Sequence, residues 1–159
     1  MANAIVTPDQ DAVVAEIEIA APPERVFAAI SDAEQLKRWW ISPICDETFW
    51  NMDPRPGGKW GFATTPASQS INGVNEFQCR GEILEYVPPR LLVYTWIANW
   101  NDKPDSITVV RWDLIATPGG TRVKVTHSGL VQQPTTRELY RGGWPGVIHS
   151  LQKYLEKRA

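Results

Sequence analysis

The chain is poor in the residues that staple small folds or bind metals. Among its 159 residues are two histidines and two cysteines, Cys45 and Cys79, which do not form a C-x-x-C pair. This pattern argues against a disulfide framework or a zinc site, so we expect two free buried thiols and no metal. No apolar run approaches the roughly 18 residues of a membrane span, and residues 1–11 lack the pattern of a signal peptide. We therefore expect a cytoplasmic protein without membrane contact.

Excess charge of one sign and the common catalytic motifs are also missing. The chain has 16 basic and 18 acidic residues, which give a net charge of −2. Its one local basic cluster, Lys153–Lys157–Arg158, is explained by a helix C-terminus, so we expect no nucleic-acid partner. No P-loop, G-x-G-x-x-G, G-x-S-x-G or H-E-x-x-H motif occurs, and we expect no cofactor.

Tryptophan, by contrast, is abundant. The eight tryptophans are Trp39, Trp40, Trp50, Trp60, Trp96, Trp100, Trp112 and Trp144. Each covers about 150–250 Å² when buried, and a buried indole N–H needs an acceptor. Composition alone leaves two interpretations open, a packed aromatic core or a pocket for a flat apolar ligand.

Hydrophobic periodicity predicts the order of the elements. Residues 13–19 alternate apolar and polar side chains, as in a half-buried antiparallel strand. Two short helices are predicted after Pro22-Pro23, the second capped by Ser31-Asp32. Residues 41–55 are predicted to form a covering loop with one short strand. Antiparallel strands and turns then follow up to Ser128, and Gly81 marks a bulge or a close approach.

A long amphipathic helix is predicted at the C-terminal end. Trp144, Val147, Ile148, Leu151 and Leu155 follow helical spacing. Thr135 or Thr136 is expected to cap this helix, and Pro145 is expected to kink or interrupt it.

These elements predict an α+β fold, because no strand–helix–strand repeat occurs. We expect a curved antiparallel sheet of about six or seven strands wrapped around the C-terminal helix. The domain is predicted over 13–158, with 1–12 as an N-terminal extension. Strand parity predicts that Trp112, Tyr94 and Leu151 are buried together and that Arg111, Asp113 and Lys124 face outward.

Several short motifs occur in a fixed order along the chain. They are Ala21–Phe27 (APPERVF), Trp39-Trp40, Pro56–Trp60 (PGGKW), Gly81-Glu82-Ile83, Pro88–Leu91 (PPRL), Thr95-Trp96, Gly119–Val123 (GGTRV), His127-Ser128-Gly129 and Gly143-Trp144. Over roughly 13–155 the series resembles the START-like or SRPBCC superfamily, in its bacterial branch named after the activator of the heat-shock-protein-ninety ATPase.

The resemblance implies a helix-grip fold with a deep cavity between the sheet and the long helix. Relatives use such a cavity for lipids, polyketides, hormones or aromatic compounds. No defined reaction is implied. Chaperone activation is not implied either, because the eukaryotic activator carries a second, separate domain.

In such a fold the inward-facing aromatic residues converge on the cavity. The residues expected to bind ligand are Phe27, Trp40, Trp60, Phe62, Tyr94, Trp96, Trp112, His127, Trp144 and Ile148. A packed core is expected to account for about half of the converging tryptophans and a cavity lining for the rest. We expect a mostly apolar pocket with a few polar anchors.

His127 is the one candidate for a catalytic side chain, because it faces inward and histidine titrates near neutral pH. A hydrogen-bonded structural histidine is the favoured interpretation. Ser128 is adjacent on the same strand and points to the opposite face, so the two do not form a nucleophile–base pair.

We therefore expect a protein that binds a small hydrophobic or aromatic molecule, as a monomer or homodimer. One alternative is a cofactor-independent cyclase, hydrolase or isomerase acting on a polyketide-like or aromatic substrate. It would use His127 or a carboxylate of the acidic loop (Asp46, Glu47, Asp53), which is more simply a solvated loop. Another alternative is a chaperone-associated stress-response module. Convergent titratable groups would favour the enzyme, and an exposed apolar patch over a filled core would favour the module.

Overall fold

The computed structural model describes residues 3–40 and 44–157, which form eight strands and three helices. The strands are β1 (Asn3–Val6), β2 (Val13–Ile19), β3 (Thr48–Met52), β4 (Lys59–Thr64), β5 (Gln78–Val87), β6 (Leu91–Ala98), β7 (Thr108–Thr117) and β8 (Gly120–Ser128). The helices are α1 (Pro23–Ser31), α2 (Ala33–Trp39) and α3 (Pro134–Lys157). The predicted α+β class is confirmed, and from β2 onward so is the predicted element order.

All eight strands form one antiparallel sheet in the order β1-β2-β8-β7-β6-β5-β4-β3. This exceeds the predicted six or seven strands. The additional strand is β1, which lies in the predicted N-terminal extension and pairs with β2 from Asn3↔Glu16 to Val6↔Val13. The short strand predicted in the covering loop is β3, while residues 41–43 of that loop lie outside the described residues.

Strand parity sets the two faces of the sheet as predicted. Trp112, Tyr94 and Leu151 are buried in one apolar cluster, where Trp112 Nε1 donates to the Tyr94 hydroxyl at 3.0 Å. On the outer face Arg111 is exposed and pairs with the carboxylate of Asp113 at 2.9 Å. The sheet therefore presents one apolar face, which α3 covers.

The two short helices close one end of this core. Pro23 occupies the first turn of α1, where its missing N–H costs nothing. The carboxylate of Asp32 accepts from Glu34 N at 3.2 Å and caps α2. Trp39 Nε1 donates to the carbonyl of Ala29 at 2.8 Å, which ties α2 back onto α1.

Helix α3 differs from the prediction at two points. It is continuous through Pro145, so the predicted interruption is absent. Residue 141, one turn earlier, is exposed, and solvent can satisfy a carbonyl that has lost its helical donor. Instead of a threonine side chain, the carboxylate of Asp102 caps the helix, accepting from the amides of Thr135 and Thr136 at 3.0 Å each.

The close approach predicted at Gly81 is confirmed, whereas the register shift of β5 against β6 lies further on, between Ile83 and Glu85. A Cβ atom at Gly81 would collide with the carbonyl oxygen of Thr95. The Trp60 indole crosses this position and donates to the same oxygen at 2.8 Å. Both cysteines are free, as predicted; Cys79 is buried, whereas Cys45 is half-buried, so the prediction that both are buried is wrong for Cys45. None of the helices in the described ranges is long and apolar enough to cross a membrane.

Candidate functional site

A cavity of about 240 Å³ lies between α3 and the β3–β6 part of the sheet. Its lining comes from the end of α2, strands β3, β4 and β6, the loops around them, and one face of α3. The lining residues are Trp40, Ile44, Thr48, Trp50, Phe62, Thr64, Ile71, Phe77, Trp96, Trp100, Leu139, Tyr140, Gly143, Trp144 and Val147.

The floor and the rim of the cavity differ in exposure. The floor consists of fully buried aromatic side chains, those of Phe77, Trp96, Trp100, Tyr140 and Trp144. The rim consists of half-buried residues, among them Ile44, Thr48, Ile71, Leu139 and Val147. A ligand would therefore enter past the 44–48 and 71–74 loops and the α3 face, and would rest on aromatic rings.

Trp40, the residue that follows α2, joins the floor to the rim. Its ring centroid lies 5.1 Å from that of Trp50, 5.5 Å from Trp144 and 6.1 Å from Trp96. Rings in this range attract one another through offset and edge-to-face contacts. The wall is thus a connected set of rings rather than independent side chains.

Four of the ten predicted ligand-binding residues line this cavity, namely Trp40, Phe62, Trp96 and Trp144. The other six do not border it; they are Phe27, Trp60, Tyr94, Trp112, His127 and Ile148. Each of these six is at most 4% exposed and belongs to the packed interior beside the hollow. Strand parity and helical spacing predicted correctly that they face the interior, but neither pattern distinguishes solid packing from a void.

His127 is held by hydrogen bonds on both ring nitrogens. Trp144 Nε1 donates to His127 Nδ1 at 3.2 Å, and His127 Nε2 lies 2.8 Å from Thr108 Oγ1. The Thr108 hydroxyl uses its own proton on the carbonyl of Trp96, at 2.8 Å. The proton of the neutral imidazole therefore lies on Nε2, which donates to Thr108.

The surroundings of His127 fit a structural role. Burial alone lowers the pKa of His127 from 6.5 to about 3, so the ring is neutral at physiological pH. Its face stacks on the Tyr140 ring, with centroids 4.4 Å apart. With both nitrogens engaged inside the protein, His127 presents neither a base nor an acid to the cavity.

The carboxylates of the acidic loop do not face the cavity either. Asp46 and Glu47 are exposed, and Asp53 pairs with Arg55 at 2.8 Å. Within 3–40 and 44–157, no three His, Cys, Asp or Glu side chains are grouped as ligands for a metal ion. The convergent titratable groups that an acid–base enzyme would need are thus absent from the described lining.

Tyr140 brings a buried polar group to the cavity. Its hydroxyl accepts from Trp96 Nε1 at 3.0 Å and donates to the side-chain oxygen of Asn101. Burial is the main cause that raises the Tyr140 pKa well above its ordinary value, so the phenol stays protonated. The remaining polar side-chain groups of the lining include the hydroxyls of Thr48 and Thr64 and the indole N–H of Trp50.

Much of the lining escaped the sequence prediction. Trp50 and Ile44 lie in the segment predicted as a covering loop. Gly143 has no side chain for a periodicity analysis to register. The spacing of Leu139, Gly143 and Val147, four residues apart, is the one sequence feature that places them on a common helix face.

Comparison with known proteins agrees with this geometry. Residues 20–156 match the sequence model of the family described as "Activator of Hsp90 ATPase homolog 1-like protein". The chain belongs to this family. The resemblance identified from the ordered motifs is thereby confirmed. No protein of curated function matches the chain significantly in sequence.

Solved structures show how widely this family's fold recurs at low sequence identity. A protein from Rhodobacter sphaeroides is 17% identical, with a TM-score of 0.78 and 98% of each chain covered. Protein CV1439 from Chromobacterium violaceum is 22% identical, with a TM-score of 0.77, over 92% of this chain and 98% of that one. Protein Ms6760 from Mycobacterium smegmatis is 20% identical, with a TM-score of 0.76, over 96% and 95%. At these identities the likeness concerns the fold alone.

The family match includes every residue that lines the cavity, since the lining runs from Trp40 to Val147. Strands β1 and β2 lie before the matched region. The candidate site is therefore built entirely from the part of the chain that is typical of the Hsp90-ATPase-activator-like family.

Proposed function

We propose that this member of the family binds a small apolar or aromatic molecule in the cavity between α3 and the sheet. The observation that carries the proposal is the cavity itself, about 240 Å³ with a floor of buried aromatic rings. Small-molecule sites are typically concave and mostly apolar, with few polar groups. The engagement of both His127 nitrogens within the protein favours binding over proton-transfer catalysis.

A glycine at the edge of this space supports the same proposal. Gly143 borders the hollow, and a Cβ atom there would meet nothing within 4 Å. Glycine inside a helix is less favourable than alanine by about 1 kcal/mol. The sequence thus keeps a less favourable helix residue at a position where a larger residue would close the hollow.

The test compares two substitutions in the same helix. Gly143→Leu places an isobutyl group in the cavity, whereas Gly142→Leu is the matched control, since Gly142 has equally open surroundings but does not line the cavity. Both variants are expected to fold and to match or exceed the parent's stability, because leucine is the better helix former.

Binding would be followed with tetralin and naphthalene as probes, by tryptophan fluorescence and by native mass spectrometry. We expect Gly143→Leu to weaken binding at least tenfold and Gly142→Leu to leave it unchanged. Equal affinity of the parent and both variants would show that any binding occurs elsewhere, and the proposal would then fail. Native mass spectrometry of protein purified from its own host would in addition give the mass of a retained ligand.

A further inference from the structure

One wall of the cavity carries paired hydroxyl groups. In the β3–β4 ladder Thr48 lies directly opposite Thr64, and Trp50 lies opposite Phe62. All four residues line the cavity. Directly opposed residues of antiparallel strands have Cβ atoms about 4.5–5.5 Å apart, so the two hydroxyls can reach a single ligand atom between them.

These groups have hydrogen-bonding capacity to spare. Thr64 Oγ1 accepts from the amide of Phe77 at 3.1 Å, and its own proton has no acceptor among the described residues. The Thr48 hydroxyl has no partner within the same ranges. Trp50 Nε1 is buried and likewise lacks a partner in the described part of the chain. The two half-buried threonine hydroxyls of this strand pair thus have protons that no described residue accepts, and a ligand in the cavity can accept from both.

No described residue of the lining carries a formal charge. An ionised ligand would lose its hydration in this space without gaining a counter-charge, which is strongly unfavourable. A neutral acceptor, such as a carbonyl oxygen, loses much less hydration free energy, and hydrogen bonds from the threonine hydroxyls can compensate for that loss. The wall therefore selects for a neutral group that accepts hydrogen bonds.

The volume limits the size of the ligand. An engineered apolar cavity of about 150 Å³ holds one benzene molecule, and the present cavity is about 240 Å³. The larger volume of the present cavity corresponds to a ligand skeleton of roughly two fused rings.

Building on the proposed function, we infer that the ligand is a neutral compound of about two rings whose carbonyl-type oxygen sits against Thr48 and Thr64. The rings rest on the aromatic floor, and the oxygen accepts from the β3–β4 wall. The chain would accordingly discriminate against the carboxylate of the same skeleton.

Three probes with one skeleton test this inference: tetralin, α-tetralone and the α-carboxylate of tetralin, titrated at neutral pH. We expect α-tetralone to bind about tenfold more tightly than tetralin, as one or two hydrogen bonds would provide, and the carboxylate to bind most weakly. In the double variant Thr48→Val/Thr64→Val this preference should vanish while the affinity for tetralin persists. Thr126→Val, on β8 away from the cavity, is the matched control and should keep the preference.

Thr48→Val alone is the second variant, in case the double variant does not fold. It preserves the hydrogen bond between Thr64 and the Phe77 amide. It should lose part of the preference. An undiminished preference in either folded valine variant would overturn the inference, as would a carboxylate that binds as tightly as the ketone. If tetralin binds, Gly143→Leu blocks its binding, and α-tetralone binds no more tightly than tetralin, then binding in the cavity stands. The proposed role of Thr48 and Thr64 is then refuted. If neither neutral probe binds, both proposals fall.

Discussion

Replacing His127 by glutamine should make the stability of the protein less dependent on pH. The imidazole accepts from Trp144 through Nδ1 and lies within hydrogen-bonding distance of Thr108 through Nε2. Glutamine offers an acceptor oxygen and a donor nitrogen, so it can keep one bond of each kind. It does not titrate, and it loses the stacking on Tyr140.

The magnitude follows from the difference in pKa between the folded and unfolded states. The pKa of His127 is about 3 in the folded protein, against 6.5 for an unperturbed histidine. Between these values the unfolded chain binds a proton that the folded protein does not bind, so the free energy of unfolding decreases as the pH falls. The stabilisation is complete above pH 6.5 and is lost progressively towards pH 3. From pH 7 to pH 5 the loss amounts to about 2 kcal/mol.

Urea unfolding at several pH values between 7 and 5 measures this effect. The parent should lose about 2 kcal/mol more than His127→Gln over that range, with equal m-values. His149 and the carboxylates are common to both proteins and cancel in the comparison. Identical pH dependence would mean that His127 is not buried as a neutral ring. Once a ligand is identified, His127→Gln should bind it with an affinity within about tenfold of the parent's. If the parent converts the ligand to a product and the variant does not, the protein is an enzyme, and the binding function is refuted.

Two further predictions concern stability. Trp112→Ala, in the solid part of the core, should lower the free energy of unfolding by about 3–5 kcal/mol. Trp144→Ala should lower it clearly less and change ligand affinity, because Trp144 borders the hollow. Equal losses of stability in urea unfolding, with unaltered binding, would refute the distinction. Asp102→Ala removes the carboxylate that caps α3 and should lower the free energy of unfolding by about 0.5–2 kcal/mol. The control Asp105→Ala removes an exposed carboxylate of the same loop and should change stability little. Similar melting temperatures of the two variants would contradict the capping role of Asp102.

The sequence predicted well which residues lie on each face of the sheet, but it predicted poorly which of them border the cavity. Alternation along β7 separates Trp112 from Arg111 because successive strand residues point to opposite faces. That rule holds for each strand by itself. Whether an inward side chain meets a neighbour or a void depends on α3, which follows much later in the chain, and especially on Gly143, where a side chain is missing.

Long-range contacts explain the other differences. Strand β1 is four residues long and pairs only with β2, so its short pattern has little predictive weight. The cap of α3 is Asp102, more than 30 residues before the amides that it accepts from. A local capping rule selects Thr135 or Thr136 because it considers neighbouring residues only. Thr136 instead accepts from the Asp102 amide and orients the loop that carries the carboxylate.

Hydrogen bonding divides the tryptophans in a way that composition could not. Among the described residues, the indole N–H groups of five tryptophans donate to protein acceptors: those of Trp39, Trp60, Trp96, Trp112 and Trp144. Their acceptors are carbonyls, tyrosine hydroxyls and His127, so these rings are fixed by the fold itself. Trp50, on the edge strand β3, is buried at Nε1 without a partner among the described residues. The Trp50 ring is therefore positioned by its packing against Trp40 and Phe62, and not by a hydrogen bond to a described residue.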